Sequence, residues 1–513
     1  MRYAAYVRFS GSQPFAQRGA PLKFPCKSLI SPPPCFLHLL CCLGVLLTAV
    51  AAVAAPAPHT VPALMISDIH LDPFHDPAKL QQLVDAPVSQ WNAILTAPPS
   101  ADQQKAFDAL QQQCQMRGQD TPYALFRSSL QAMHAHQSDA KFITISGDLL
   151  AHTFDCRYKA LLPKSTPAQY QAFVLKTLSF IMAELRATFP GIPIYTALGN
   201  NDSGCGDYKL TPNSDFLAQT GKILAEALPS SEQQAAAKQF AAGGYFSVTM
   251  PSPMQSTRII VVNDLMLSPK YTTCGGMPDV TAANAEMDWL RQQLADARQA
   301  GQKVWVMAHI PPGVDPYSTA AKMKNVCAGA APVVFLSSGK LADLMIEYAS
   351  TIHLGIFAHS HMDEFRLLEP EAGDPTPSAE HSIAVRVIPS ISPVDGNNPS
   401  FTIAHIDPST ATLIDYEVIA GSNQTGISTT WSSEYDFAKT YHQSQYSPAA
   451  LKTLIGQFHA DRSSQQDMSI SYIRNFFVGD RSSELKLFWP QYTCALDNVS
   501  TKSYAACICA AAK

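Results

Sequence analysis

The stretch Lys141–Asp155, KFITISGDLLAHTFD, decides how this 513-residue chain is read. Phe142–Ser146 is a short run rich in β-branched and aromatic residues that ends on Gly147, the pattern of a buried strand meeting a turn. The glycine frees the backbone and presents Asp148 at the carboxyl end of the strand, the edge of an open α/β sheet where ligands bind. A lone Gly-Asp pair carries little information, but this one has company. Asp68-Ile69-His70 follows the strand-like Ala63–Ser67, and Gly199-Asn200-Asn201-Asp202 follows Ile194–Leu198. His309 follows Lys303–Ala308, and His359-Ser360-His361 follows Ile352–Ala358. Five apolar runs each end on a residue type that ligates metals, with helix-sized or longer spacers between them.

Around these runs the chain is an ordinary globular one, 46% hydrophobic and 15% charged. Its length holds two or more domains, or one large α/β domain with an appendage. A net charge of −5 leaves no basic footprint for nucleic acid, so any phosphate must be bound by a local site. Residues 1–55 read as a targeting segment. Arg2, Arg8, Arg18, Lys23 and Lys27 precede an apolar run from Phe36 to Ala55, no acidic residue comes before Asp68, and the small-residue end AVAAVAAPAP suits a signal peptidase. The same run is long enough to span a bilayer as an uncleaved anchor. With the signal removed no stable membrane span is expected, and the mature chain faces an oxidising compartment, secreted or periplasmic.

Cysteine usage agrees with export. Cys26, Cys35, Cys41 and Cys42 fall inside the targeting segment, leaving Cys114, Cys156, Cys205, Cys274, Cys327, Cys494, Cys507 and Cys509. An even number in an exported chain suggests disulfides, whose pairing the sequence does not give. Amphipathic helical patterns cover Pro77–Leu95, Tyr123–His136, Ser165–Phe189 and Ala282–Ala300, between strands, which argues for an α/β core. Ile383–Val387, Phe401–Ile406 and Thr412–Val418 are strand-like without helices between them and are expected to complete a second sheet. From about Ser447 the pattern turns helical (Pro448–Ala460, Gln466–Val478, Glu484–Phe488) and closes on Cys494 through Cys509. The expected organisation is a catalytic domain over 56–440 and a small helical, cysteine-containing subdomain over 441–513.

The ligand types set the chemistry. Aspartate, histidine and asparagine donors at strand ends suit a pair of borderline divalent ions such as zinc. A two-metal site needs one carboxylate that touches both ions, and Asp148 is the natural bridge. Ions about 3.5–4 Å apart clamp a phosphoryl group and acidify a shared water, and the resulting hydroxide attacks phosphorus in line.

The ordered motifs D-x-H, G-D, G-N-x-D, H and H-x-H resemble the calcineurin-like metallophosphoesterase superfamily. Its acid sphingomyelinase-like phosphodiesterase branch is suggested by Asp120-Thr121-Pro122 with Leu125 and Ser129-Leu130, by Gly147-Asp148 with His152, and by His309-Ile310-Pro311-Pro312-Gly313. Pro389-Ser390-Ile391-Ser392-Pro393 with Asn398-Pro399-Ser400-Phe401, and Trp431 with Tyr435, resemble later landmarks of that branch. The resemblance covers roughly Ala63 to Cys509 and implies a four-layer α/β/β/α sandwich with the helical C-terminal subdomain. It implies that Asp68, His70 and His361 hold a first metal, that Asn200, His309 and His359 hold a second, and that Asp148 lies between them.

One departure matters. The superfamily usually has histidine immediately after the metal-binding asparagine, and this chain has Asn201. An amide donates a hydrogen bond to a phosphoryl oxygen but supplies no proton. His152 is then the remaining candidate for general acid, because imidazole titrates near working pH. A leaving group that is already good, such as a pyrophosphate oxygen, needs less protonation. Asn201 is equally read as a tolerated substitution that lowers the rate. The expected function is an exported two-metal hydrolase of phosphodiester or phosphoanhydride bonds in small molecules, nucleotide-like or polyphosphate substrates fitting better than lipid, since no six-cysteine lipid-presenting module precedes Asp68. The alternatives are an endopolyphosphatase or phosphomonoesterase on the same scaffold, and a non-catalytic phosphoester-binding protein.

Overall fold

A computed structural model describes residues 60–371, 381–479 and 483–511. The targeting segment, with Cys26, Cys35, Cys41 and Cys42, lies outside the described residues. The apolar runs become the largely buried strands β1 (Val61–Ile66), β2 (Ile143–Ile145), β3 (Ile194–Thr196), β6 (Lys303–Met307) and β7 (Ile352–Phe357), and β4 (Phe246–Thr249), buried on one face, and β5 (Thr257–Val261) come between β3 and β6 in the chain. They are followed by β8 (Glu364–Leu368), β9 (Ile383–Val387), β10 (Ser400–Asp407), β11 (Thr412–Gly421) and β12 (Trp431–Asp436). The strands form two six-stranded sheets, ordered β12-β11-β10-β1-β2-β3 and β4-β5-β6-β7-β9-β8. In the first, β1, β2 and β3 run parallel; in the second, β5, β6, β7 and β9 do. Parallel strands need covering on both faces, which accounts for their unbroken apolar runs.

The expectation for the late strands is half right. β9 joins the second sheet beside β7, but β10 pairs antiparallel with β1 and β11 with β10, extending the first sheet. Side-chain alternation marks a strand and says nothing about its partner, which long-range register decides. The inner faces of the sheets interlock: the Phe142 ring packs edge-on against Trp305, and the Trp305 indole N–H donates to the carbonyl of Ala411 at 2.8 Å.

Tyr123–His136 is helical as predicted, and Pro167–Thr188 starts on a capping box in which Thr166 and Gln169 bond each other's backbone N–H. The predicted helix over Pro77–Leu95 is instead four short pieces. Pro87 pushes Ala86 into extended backbone and breaks the run. The C-terminal helices Pro448–Ala460, Asp467–Phe476, Ser483–Leu487, Trp489–Ala495 and Thr501–Ala511 belong to the same compact unit as the sheets. Phe365 of β8 packs among the rings of Phe458 and Tyr472. All eight cysteines of this unit are bridged: Cys114–Cys156, Cys205–Cys274, Cys327–Cys509 and Cys494–Cys507.

Candidate metal centre

The turns that leave β1, β2, β3, β6 and β7 converge on one point, and all seven predicted ligands meet there. Asp68, His70 and Asp148 offer atoms within one cluster, and Asp148, His309 and His359 within another. His70 Nε2 stands 3.1 Å from His361 Nε2, 3.7 Å from Asp68 Oδ1 and 3.5 Å from Asp148 Oδ2. On the other side His309 Nε2 lies 3.2 Å from Asp148 Oδ2, 3.2 Å from Asn200 Oδ1 and 3.2 Å from His359 Nδ1. A single oxygen, Asp148 Oδ2, therefore faces both histidine groups.

The backbone is strained to achieve this. Asp68, His70, Asp148, His359 and His361 all have φ between 42° and 70°, the left-handed region that non-glycine residues rarely adopt. Two glycines let the turns close in. A Cβ on Gly199 would fall 2.1 Å from Asp148 Oδ1, and one on Gly147 2.8 Å from His309 Nδ1.

A surrounding layer of hydrogen bonds sets the ring tautomers and aims the donors. Nδ1 of His70 bonds the carbonyl of Leu150 and Nδ1 of His309 that of Ser146, both at 2.7 Å, so each carries a proton there and turns Nε2 inward. Asn200 Nδ2 donates to Asp207 Oδ1 at 2.8 Å, which leaves Asn200 Oδ1 pointing at His309. Asp202 accepts the backbone N–H groups of Leu149, Leu150 and Gly199 and so locks the two turns together. Burial, reinforced by the charge of Asp148, pushes the Asp202 carboxyl up to about 7.

The donor set fits cations. Both carboxylate oxygens of Asp68 are buried without a hydrogen-bond donor, a costly arrangement unless a positive charge meets them. Nε2 of His70 and Nε2 of His361 face each other, as do Nε2 of His309 and Nδ1 of His359. The field points the same way. Burial opposes a charged His70 and a charged His309, yet Asp148 and its neighbours raise them to about 9 and about 10. Burial, together with the charge on His309 or His70, pushes His359 and His361 well below the ordinary range. Burial also opposes ionisation of Asp148, but His309 and His70 hold its carboxyl well below the ordinary value. The cluster thus calls for positive charge in two places, and its donor set suits two metal ions.

The two predicted catalytic residues stand beside this cluster. His152 stacks on His70 with ring centroids 4.0 Å apart, and Nδ1 bonds Asp120 Oδ1 at 2.8 Å. Asp120 also takes Arg157 Nη2 at 2.5 Å, and Arg157, fully buried, reaches Asp72 with its other arm at 2.9 Å. Burial works against the Asp120 carboxylate, but His152 and Arg157 keep it well below the usual range. Sequence reading quoted Asp120 only as a landmark; its link to His152, 32 residues on, is tertiary. Asn201 lines the same pocket, and its amide is spent on the Asp148 carboxylate: the backbone N–H donates to Asp148 Oδ1 at 2.8 Å and Nδ2 to Oδ2 at 2.9 Å.

The cluster floors a cavity of about 440 Å³. Its walls carry Arg117 on the His152 side and Lys270 on the His359 side, with Tyr208, Tyr317 and Phe335 between. Lys270 Nζ sits 4.5 Å over the ring of Tyr208, whose hydroxyl is 3.3 Å from His359 Nε2.

No protein-family model matches the chain. It is 25% identical over 462 residues to human acid sphingomyelinase-like phosphodiesterase 3b, covering 86% of this chain and 89% of that one. It is 26% identical over 399 residues to human cyclic GMP-AMP phosphodiesterase SMPDL3A, covering 76% and 80%. Sphingomyelinase phosphodiesterase D of Dictyostelium discoideum is 26% identical over 401 residues, covering 76% and 80%. Among solved structures, a dimetal phosphatase from Danio rerio aligns over 76% of this chain at 10% identity with a TM-score of 0.38.

Proposed function

We propose that this chain, a relative of the acid sphingomyelinase-like phosphodiesterases, is an exported two-zinc enzyme that hydrolyses nucleotide-type small phosphoesters in preference to lipids. Its coarser class, a binuclear metal-dependent phosphodiesterase, follows from those relatives together with the donor cluster. The observation that carries the reading is the position of Asp148 Oδ2, 3.5 Å from the inward nitrogen of His70 and 3.2 Å from that of His309.

In this reading Asp68, His70 and His361 would hold one ion and Asn200, His309 and His359 the other, with Asp148 within reach of each. Two divalent ions held there supply Lewis acidity toward the phosphoryl oxygens and toward water. The chain does the rest by positioning. Asp207 aims the Asn200 oxygen, Leu150 and Ser146 fix the tautomers of His70 and His309, and the Asn201 amide steadies Asp148. Asp120 holds His152 at the pocket wall, which makes His152 the candidate to protonate a departing group. Zinc is favoured by the histidine-rich donor set and by the oxidising setting that four disulfides imply. A nucleotide is favoured over a lipid because the cavity wall carries cationic side chains, Arg117 and Lys270 among them, beside aromatic faces. Among the described residues no helix is long and apolar enough to cross a membrane.

The test is metal content together with hydrolysis of bis(p-nitrophenyl) phosphate against p-nitrophenyl phosphate, with and without chelator. Two equivalents of metal and chelator-sensitive preference for the diester are expected. Turnover that survives complete metal removal overturns the reading.

A further inference from the structure

The chain leaves the second sheet at β9 and enters the first at β10, so the connection between them, residues 388–399, crosses from one sheet to the other. It crosses beside the half-site of Asp68, His70 and His361. Pro389, Pro393 and Pro399 have no N–H to give, and the donors left between the first two are Ser390, Ile391 and Ser392. Their N–H groups go to the ligand-bearing turns: Ser390 to the carbonyl of His361 at 3.2 Å, Ile391 to that of Ser67 at 3.1 Å and Ser392 to that of Asp68 at 3.0 Å. One short segment thereby bonds the Asp68 turn of the first sheet and the His361 turn of the second. The Ser392 hydroxyl also donates to Asp120 Oδ1 at 3.3 Å, and Asp395 stands between Arg117 Nη1 and His361 Nδ1, 3.4 Å from each.

Asn397 closes this segment. It is fully buried, and its Nδ2 donates to the Ser390 hydroxyl oxygen at 2.9 Å and to the Ser392 carbonyl at 3.0 Å. The Ser390 hydroxyl donates in turn to that same carbonyl. A primary amide has the two N–H groups these acceptors need, and neither a hydroxyl nor a carboxylate does. Asn397 Oδ1 is buried without a hydrogen-bond donor, a cost that an apolar residue of the same size would avoid. The half-site of Asn200, His309 and His359 is tied from other elements: Asp207 aims Asn200, and the Ser146 carbonyl fixes His309.

Resting on the dimetal reading above, we infer that Asn397 is a positioning residue for the Asp68–His70–His361 half-site alone, setting the separation of the Asp68 and His361 turns through Ser390 and Ser392 before an ion arrives. Hydrogen-bond partners that orient ligands in this way are worth about ten- to a hundredfold in metal affinity.

The experiment places Asn397→Ala in two backgrounds of the full-length protein: His309→Ala, which keeps the Asp68–His70–His361 half-site, and His361→Ala, which keeps the other. After circular dichroism has verified folding, the Zn2+ affinity of the remaining site is read on chelator-stripped protein by competition with a chromophoric chelator. In the His309→Ala background Asn397→Ala is expected to weaken Zn2+ binding about ten- to a hundredfold. In the His361→Ala background the affinity stays within about threefold. Ser390→Ala removes one of the two acceptors and is expected to show the same selectivity with a smaller loss, about three- to tenfold, so it carries the test if Asn397→Ala does not fold. Equal weakening in both backgrounds, or none in either, overturns the inference, since a merely structural asparagine does not distinguish one half-site from the other. A parent protein that takes up fewer than two equivalents of Zn2+ overturns the dimetal reading itself, and the inference with it.

Discussion

The two sheets contribute to the candidate centre in different ways. The first, through the turns after β1, β2 and β3, brings Asp68, Asp148 and Asn200 along with a single histidine, His70. The second, through the turns after β6 and β7, brings only histidines: His309, His359 and His361. Neither half-site can be assembled from one sheet. The Asp68–His70 pair needs His361 from across the interface, and the His309–His359 pair needs Asn200 and Asp148. The lesson is that the donor cluster exists only when the two layers are packed together, through contacts such as Phe142 on Trp305, so any ion it holds would tie ion binding to sheet packing.

The most severe way to break this comparison is to remove the shared oxygen. Asp148→Asn is expected to lower turnover on the order of a thousandfold or more and to release most bound metal, read by elemental analysis and diester hydrolysis. Next come single losses from opposite half-sites. His361→Ala and His309→Ala should each reduce metal from two equivalents toward one, with a drop in kcat on the order of a hundredfold. If both metals survive in either variant, the assignment of that histidine fails.

Asp120→Asn tests the wall and leaves the floor in place. It keeps the shape but loosens the hold on His152, so kcat is expected to fall about ten- to a hundredfold while metal content stays at the parental value. A parallel loss of metal would place Asp120 with the ligands instead. The mildest effect is on stability. Ions that bind only the folded pair of sheets add to its free energy by mass action, so chelation should lower Tm by several degrees in a thermal melt. An unchanged Tm would separate ion binding from sheet packing.

Much of this could be seen in the residues alone. Buried parallel strands leave continuous apolar runs, and a ligand type at the end of each run marks the sheet edge where ligands gather, so Asp68, His70, Asp148, Asn200, His309, His359 and His361 were all legible from local pattern. Helices such as Tyr123–His136 were legible for the same reason, since their periodicity is carried by neighbours in the chain. Tertiary structure alone decided what depends on partners far away: that β10 and β11 join β1, that the Asn201 amide turns to Asp148, and that Asp120 seizes His152 while Asp395 draws Arg117 over them. A residue's type and spacing limit what it can donate or accept, but only the folded geometry chooses which atom receives it.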